Sequence, residues 1–171
     1  KQLELIDNND EEQKPKDFKK IFIKALKTKA LIMITLIAIL ETPLTSMIFS
    51  IYRDIGLNNK IKESVASYIG PYSFVCECVG EFIFGLLCDY SLKKYLLLII
   101  LGIDAIIAFV YCFTFDSSLL FSIATNLASF TSGGFYSVKD FYLINIFGVF
   151  IYVELIGFVN LCSAIIFIVI L

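Results

Sequence analysis

From Lys29 to Leu171 the chain is a succession of apolar blocks, each about 20 residues long, the length that carries a helix across a hydrocarbon core. Polar breaks separate them: Arg53-Asp54 and the run to about Ser67, Asp89 to Lys94, and the tight turn Asp116-Ser117-Ser118. The spacing predicts five helical spans at about 30–52, 68–88, 95–115, 119–143 and 150–171, the fourth reaching Phe147 if Lys139 and Asp140 face protein or water. Residues 1–20 are polar and interrupted by Pro15, and read as a solvated tail or interdomain linker. From Asp17 the stretch DFKKIFIKALKTK puts Phe18, Ile21, Phe22 and Ala25 at helical spacing beside lysines, the pattern of a helix lying along a membrane surface. Residues 1–28 are thus expected to be a polar cytoplasmic linker ending in a short amphipathic helix. Residues 29–171 are expected to form an all-α integral membrane bundle.

Composition sharpens this. Of 171 residues 58% are hydrophobic and 18% charged, against roughly 45–50% and about 25% in soluble domains. More than a third of the charges lie in the first twenty residues, so the rest of the chain is still less polar than the average. A soluble globular domain and intrinsic disorder are both poor fits. The net charge of −2 supplies no bulk field that would select a partner. No His is present, which removes the commonest metal ligand and the usual general base. Cys76, Cys78, Cys88, Cys112 and Cys162 fall in or at the ends of apolar blocks, where Cys behaves as a small hydrophobe. Cys76 and Cys78 would point to different sides of a helix. The chain does not begin with Met and reads as a piece of something longer.

Orientation follows from the lysines. With the N-terminus in the cytoplasm, the inner segments from Lys14 onward hold ten basic residues: Lys14, Lys16, Lys19, Lys20, Lys24, Lys27, Lys29, Lys93, Lys94 and Lys139. The outer loops hold three, Arg53, Lys60 and Lys62. The excess predicts an N-terminus inside. Whether the host membrane is the plasma membrane or an organelle's stays open.

A charge at membrane depth costs at least ~2.5–3.5 kcal/mol on insertion scales, so each one asks for a partner or a task. Glu41, Glu77, Glu81, Asp104 and Glu154 qualify. Glu77, Glu81, Gly85 and Asp89 recur every four residues and form one slowly drifting stripe on span two. The stripe is either a proton- or cation-responsive face or a polar seam against neighbouring helices. Span one carries Glu41 with Thr45 and Thr42 with Ser46, each four apart, around Pro43, which removes a backbone donor. A broken helix lining a solute path fits that pattern better than a lipid-facing span. In span four, Asn126, Ser129, Thr131, Ser132, Gly133, Gly134 and Ser137 either permit close helix approach or offer hydroxyls and an amide to a solute. Asp104 has no evident partner. No catalytic set, phosphate loop or metal-ligand cluster is found, so neither enzyme activity nor a cofactor is expected. A basic groove with aromatics for nucleic acid is missing too.

Gly85-Leu-Leu-Cys-Asp89-Tyr-Ser-Leu-Lys93-Lys94 resembles the signature loop of the major facilitator superfamily, G-x-x-x-D-(R/K)-x-G-(R/K)-(R/K). Gly85, Asp89, Lys93 and Lys94 match, while Tyr90 replaces a basic residue and Leu92 the second glycine. Such degeneracy is more like the copy in the C-terminal half of that family. Ser132-Gly-Gly-Phe-Tyr-Ser137, Ile146-Phe-Gly148 and Tyr152-x-x-Leu155-x-Gly157 are similar to the fourth-to-fifth helix passage of monocarboxylate-porter-like and related amino-acid facilitators. The resemblance covers about residues 17–171. It implies five helices of a six-helix half-bundle, spans seven to eleven of a twelve-span carrier, or spans one to five in the alternative.

The resemblance further implies a secondary active or facilitative transporter in which two halves alternate access around a midplane site. Its partners would be the bilayer, a small organic solute and the other half of the same chain. Glu41, Thr42, Thr45, Ser46, Asn126, Ser129 and Ser132 are then solute-path candidates. Gly85, Asp89, Lys93 and Lys94 form a conformational latch, and Glu41, Glu77 and Glu81 are candidates for proton or cation coupling. No mid-depth cation is expected to meet a carboxylate, so Glu41 fits proton coupling or an ammonium group, and amino-acid and monocarboxylate transport stay equally open. The competing reading is a non-transporting multispan scaffold or complex subunit.

Overall fold

The computed structural model describes residues 18–58, 61–90, 95–111, 113 and 117–170. The side chains of residues 18, 42–51 and 170 lie outside the described set. The described chain is all-helical: α1 (Phe18–Leu26), α2 (Lys29–Asn58), α3 (Glu63–Cys88), α4 (Leu96–Tyr111), α5 (Ser118–Phe147) and α6 (Val149–Ile170). Among the described residues, α3 and α6 are long and apolar enough to cross a membrane, and α4 is a shorter apolar helix.

Local chemistry marks the ends. Thr28 sits in the turn between α1 and α2, where its hydroxyl donates to the Ala25 carbonyl at 2.7 Å and accepts from the Leu31 amide at 3.4 Å. One side chain thus closes the first helix and opens the second. Ser117 caps α5 by accepting from the Leu120 amide. Between α5 and α6 the whole connection is Gly148, at φ 84° and ψ 162°. That region is essentially closed to a residue with a Cβ, so the reversal depends on glycine. Prolines do not interrupt the helices: α2 runs through Pro43, where a broken helix was expected, and α3 holds Pro71.

α5 is the hub. It packs against α2, α3, α4 and α6, and its contact with α3 is the most extensive in the molecule. The two run parallel, since Ser73 meets Asn126 near one end and Glu81 meets Ser137 near the other. Between those points the backbones touch. A Cβ on Gly80 would land on the Phe130 carbonyl, one on Gly133 on the Glu77 carbonyl, and one on Gly134 in the Phe84 ring. Ser137 then donates to the Glu81 carbonyl at 2.9 Å, a cross-link open only to helices this close. One apolar core joins Leu31, Ile34 and Ala38 of α2, Phe84 and Cys88 of α3, Leu96 and Ile100 of α4, Phe135, Val138 and Leu143 of α5, and Ile151, Leu155 and Val159 of α6.

This contact is testable. Gly133→Ala should cost about 1–3 kcal/mol, because the backbone it strikes cannot move aside without separating two helices. Gly102→Ala, whose added methyl meets nothing within 4 Å, should be neutral or slightly stabilising. Detergent-titrated unfolding of the two variants measures the difference, and equal midpoints would refute the packing argument.

Candidate functional site

The described bundle is apolar outside as well as inside, with a minority of polar groups buried in it. Large apolar side chains face outward on α2 through α6, Leu40, Phe82, Phe109, Phe150 and Ile168 among them. Inside are Glu41, Ser73, Asp104, Thr125, Ser129, Thr131, Ser132, Lys139 and Ser163, each buried. Most of the buried hydroxyls are satisfied cheaply by their own helix: Thr125, Ser129 and Ser163 donate to the carbonyls of Phe121, Thr125 and Val159, four residues back. The charged groups have no such local solution and must find partners across the bundle.

Lys139 is 2% exposed. Its ammonium donates to Asn160 Oδ1 on α6 at 3.2 Å and lies 4.8 Å from the centroid of the Tyr136 ring and 5.7 Å from that of Phe135. Two aromatic faces and an amide oxygen replace part of its hydration shell. Its charged neighbours are Asp140 and Glu41. Glu41, also 2% exposed, has Asp104, Lys139 and Glu77 as its charged neighbours. Asp104 accepts a short hydrogen bond from the Thr131 hydroxyl, while its second oxygen has no hydrogen-bond partner among the described residues.

Helix arithmetic explains why these groups meet. Glu41 lies twelve residues into α2, Asp104 eight into α4 and Asn160 eleven into α6, while Lys139 lies eight before the end of α5 and Glu77 eleven before the end of α3. At 1.5 Å per residue all five sit roughly 12–18 Å from one end of the bundle. They form a polar layer in which Glu41 stands between Lys139 and the acids Asp104 and Glu77, and Lys139 has Glu41 and Asp140 as its charged neighbours.

The other sequence-derived candidates distribute as follows. Ser129 and Ser132 are wholly buried on α5, and Asn126 is half-buried, accepting from Ser73 at 3.0 Å and donating to Ser122 at 3.4 Å. Gly133 and Gly134 serve close helix approach. Glu77 is half-buried, Glu81 exposed, and Asp89 caps the C-terminus of α3 in the open. Gly85 faces Ser137. The side chains of Thr42, Thr45 and Ser46, and residues Lys93 and Lys94, lie outside the described residues.

Two partnerships were missed by sequence reasoning, Asp104 with Thr131 and Lys139 with Asn160. Lys139 is thus a buried cation where none was expected. Both pairs are nearly equidistant from the turn joining their antiparallel helices, and that symmetry was the available signal. Thr131→Val should therefore destabilise the bundle by about 1–3 kcal/mol, leaving a buried carboxylate oxygen without its donor. Thr131→Ser, which keeps the hydroxyl, should recover most of that loss in the same unfolding measurement; equal losses would show that methyl packing, not the hydrogen bond, matters there. No protein-family model, curated protein or solved structure matches this chain.

Proposed function

We propose that the chain is a five-span portion of a multi-pass membrane carrier that moves a small organic solute by alternating access, with its N-terminus in the cytoplasm. The observation that carries this reading is the charged layer, Glu41, Asp104 and Lys139 buried at one level of a bundle whose outside is apolar. A soluble monomer rarely exposes apolar patches beyond a few hundred Å². Charges held at one depth inside an apolar bundle are costly, and in membrane proteins they mark solute and proton paths.

The helix lengths are compatible with such a membrane. α2 and α5, of 30 residues each, reach about 45 Å and would cross with tilt or project beyond the core. α4, with 16 residues, reaches only about 24 Å and needs local thinning or its flanking residues to complete a crossing. Placing Lys139 inside the bundle leaves nine cytoplasmic basic residues against three outside, so the charge bias still favours the same orientation.

In this reading Glu41 carries the coupling proton, and Lys139 offers the positive charge that a carboxylate-bearing solute needs. Amino acids and monocarboxylates both meet that description. Glu77 and Asn126 border the same level from α3 and α5. Gly85 and Asp89 at the end of α3, with Lys93 and Lys94, act as the latch between cytoplasmic helix ends. The scaffold reading has less support, because the Gly80, Gly133 and Gly134 surfaces that a partner helix would need are already filled within this chain.

In the full-length protein, Glu41→Gln should abolish proton-driven uptake of radiolabelled amino acids or monocarboxylates while expression and membrane insertion persist. Uptake that responds to a proton gradient as the parent does would overturn the coupling role. Asp89→Asn should slow turnover more than it weakens solute binding, and proportionate losses in both would count against the latch.

A further inference from the structure

The end of the bundle where α2 begins carries a feature that solute transport does not use. α1 packs against both α2 and α6, anchored by buried Ala25 and by Phe22 and Leu26 on the core. Just beyond it a groove of about 160 Å³ opens between α1, α2 and α6, lined by Leu26, Leu31, Ile32, Thr35, Leu36 and Phe158. Thr35 is its one polar wall residue, and the Thr35 hydroxyl has no hydrogen-bond partner among the described residues. The groove runs inward: Thr35 lies six residues and Leu36 seven into α2, and Phe158 nine into α6, so its walls reach roughly 9–14 Å below the helix ends. Lys24, Lys27 and Lys29, each within two residues of the lining side chains Leu26 or Leu31, are all exposed. A largely apolar slot therefore lies beside three exposed cations.

We propose that this groove is a binding site for one anionic phospholipid of the cytoplasmic leaflet, an acyl chain in the slot and the headgroup on Lys24, Lys27 and Lys29. The proposal rests on the membrane-embedded part of the functional reading. Charge complementarity selects the occupant: a zwitterionic lipid would fill the slot equally well but offers the lysines no net charge, whereas juxtamembrane lysines attract anionic headgroups over a Debye length. Bound there, the lipid ties the surface helix α1 to the ends of α2 and α6, and links the linker that precedes α1 to the helix carrying Glu41.

The chain has no Trp, so a single introduced one reports its own surroundings. Leu36→Trp places it in the groove, Ile32→Trp provides a second reporter there, and Leu98→Trp places one on the exposed face of α4 near the same end. The protein is reconstituted in phosphatidylcholine vesicles doped with acyl-brominated phosphatidylserine or acyl-brominated phosphatidylcholine. Brominated phosphatidylserine should quench the groove reporters at a several-fold lower mole fraction than brominated phosphatidylcholine, and quench Leu98→Trp no better than it does. Adding Lys24→Gln with Lys27→Gln should erase the preference. Equal quenching of the groove reporters by both lipids, the same preference at Leu98→Trp, or a preference that survives loss of the lysines would each overturn the site. Absence of quenching at every position by either lipid would instead bring down the membrane-embedded reading itself.

Discussion

The approach of α3 to α5 sets the geometry on which everything else depends. Where Gly80 meets the Phe130 carbonyl and Gly133 meets the Glu77 carbonyl, no side chain intervenes between two helix backbones. A bundle whose surface is as apolar as its interior gains little by moving hydrocarbon from outside to inside. Close contact must then supply the specificity through dispersion and through hydrogen bonds such as Ser137 to Glu81. With α3 locked to one face of α5, the remaining faces of α5 are left for α2, α4 and α6. Among the described residues, α5 packs against α2, α3, α4 and α6 alike.

The charged layer is a consequence of that central position. Lys139 projects from α5 toward α6, Thr131 from α5 toward α4, and Glu41 enters from α2. The buried hydroxyls around them are neutralised by their own backbone and cost little. The ions cannot be treated that way, and the cation beside Glu41 and Asp140 limits the net charge that must be held out of water. An arrangement with several acids and one lysine is electrostatically asymmetric.

α1 is too short to be stable alone, and its hold on the bundle comes from Ala25, Phe22 and Leu26. Its lysines are exposed while Phe22, Ala25 and Leu26 dock on the core.

Apolar periodicity in the sequence was enough to identify the all-helical fold and the approximate helix positions, because long uninterrupted apolar blocks permit little else. The Gly-Gly pair at 133–134 was legible as a candidate for close packing, and Glu41 and Asp104 as costly charges. The pairings were not legible. Whether Gly133 meets a helix or a solute depends on which face α3 presents, and periodicity within one segment carries no information about its neighbour's rotation. Lys139 shows the same limit: near the end of an apolar block it read as a cytoplasmic residue, and only the continuation of α5 to Phe147 buried it. Pro43 suggests a break by local rules, yet α2 runs through it. The sequence by itself determined what each segment is, since hydrophobic period and length are local properties. Which side chains share the interior was decided by the tertiary structure alone, because it follows from the mutual rotation and depth of helices far apart in the chain.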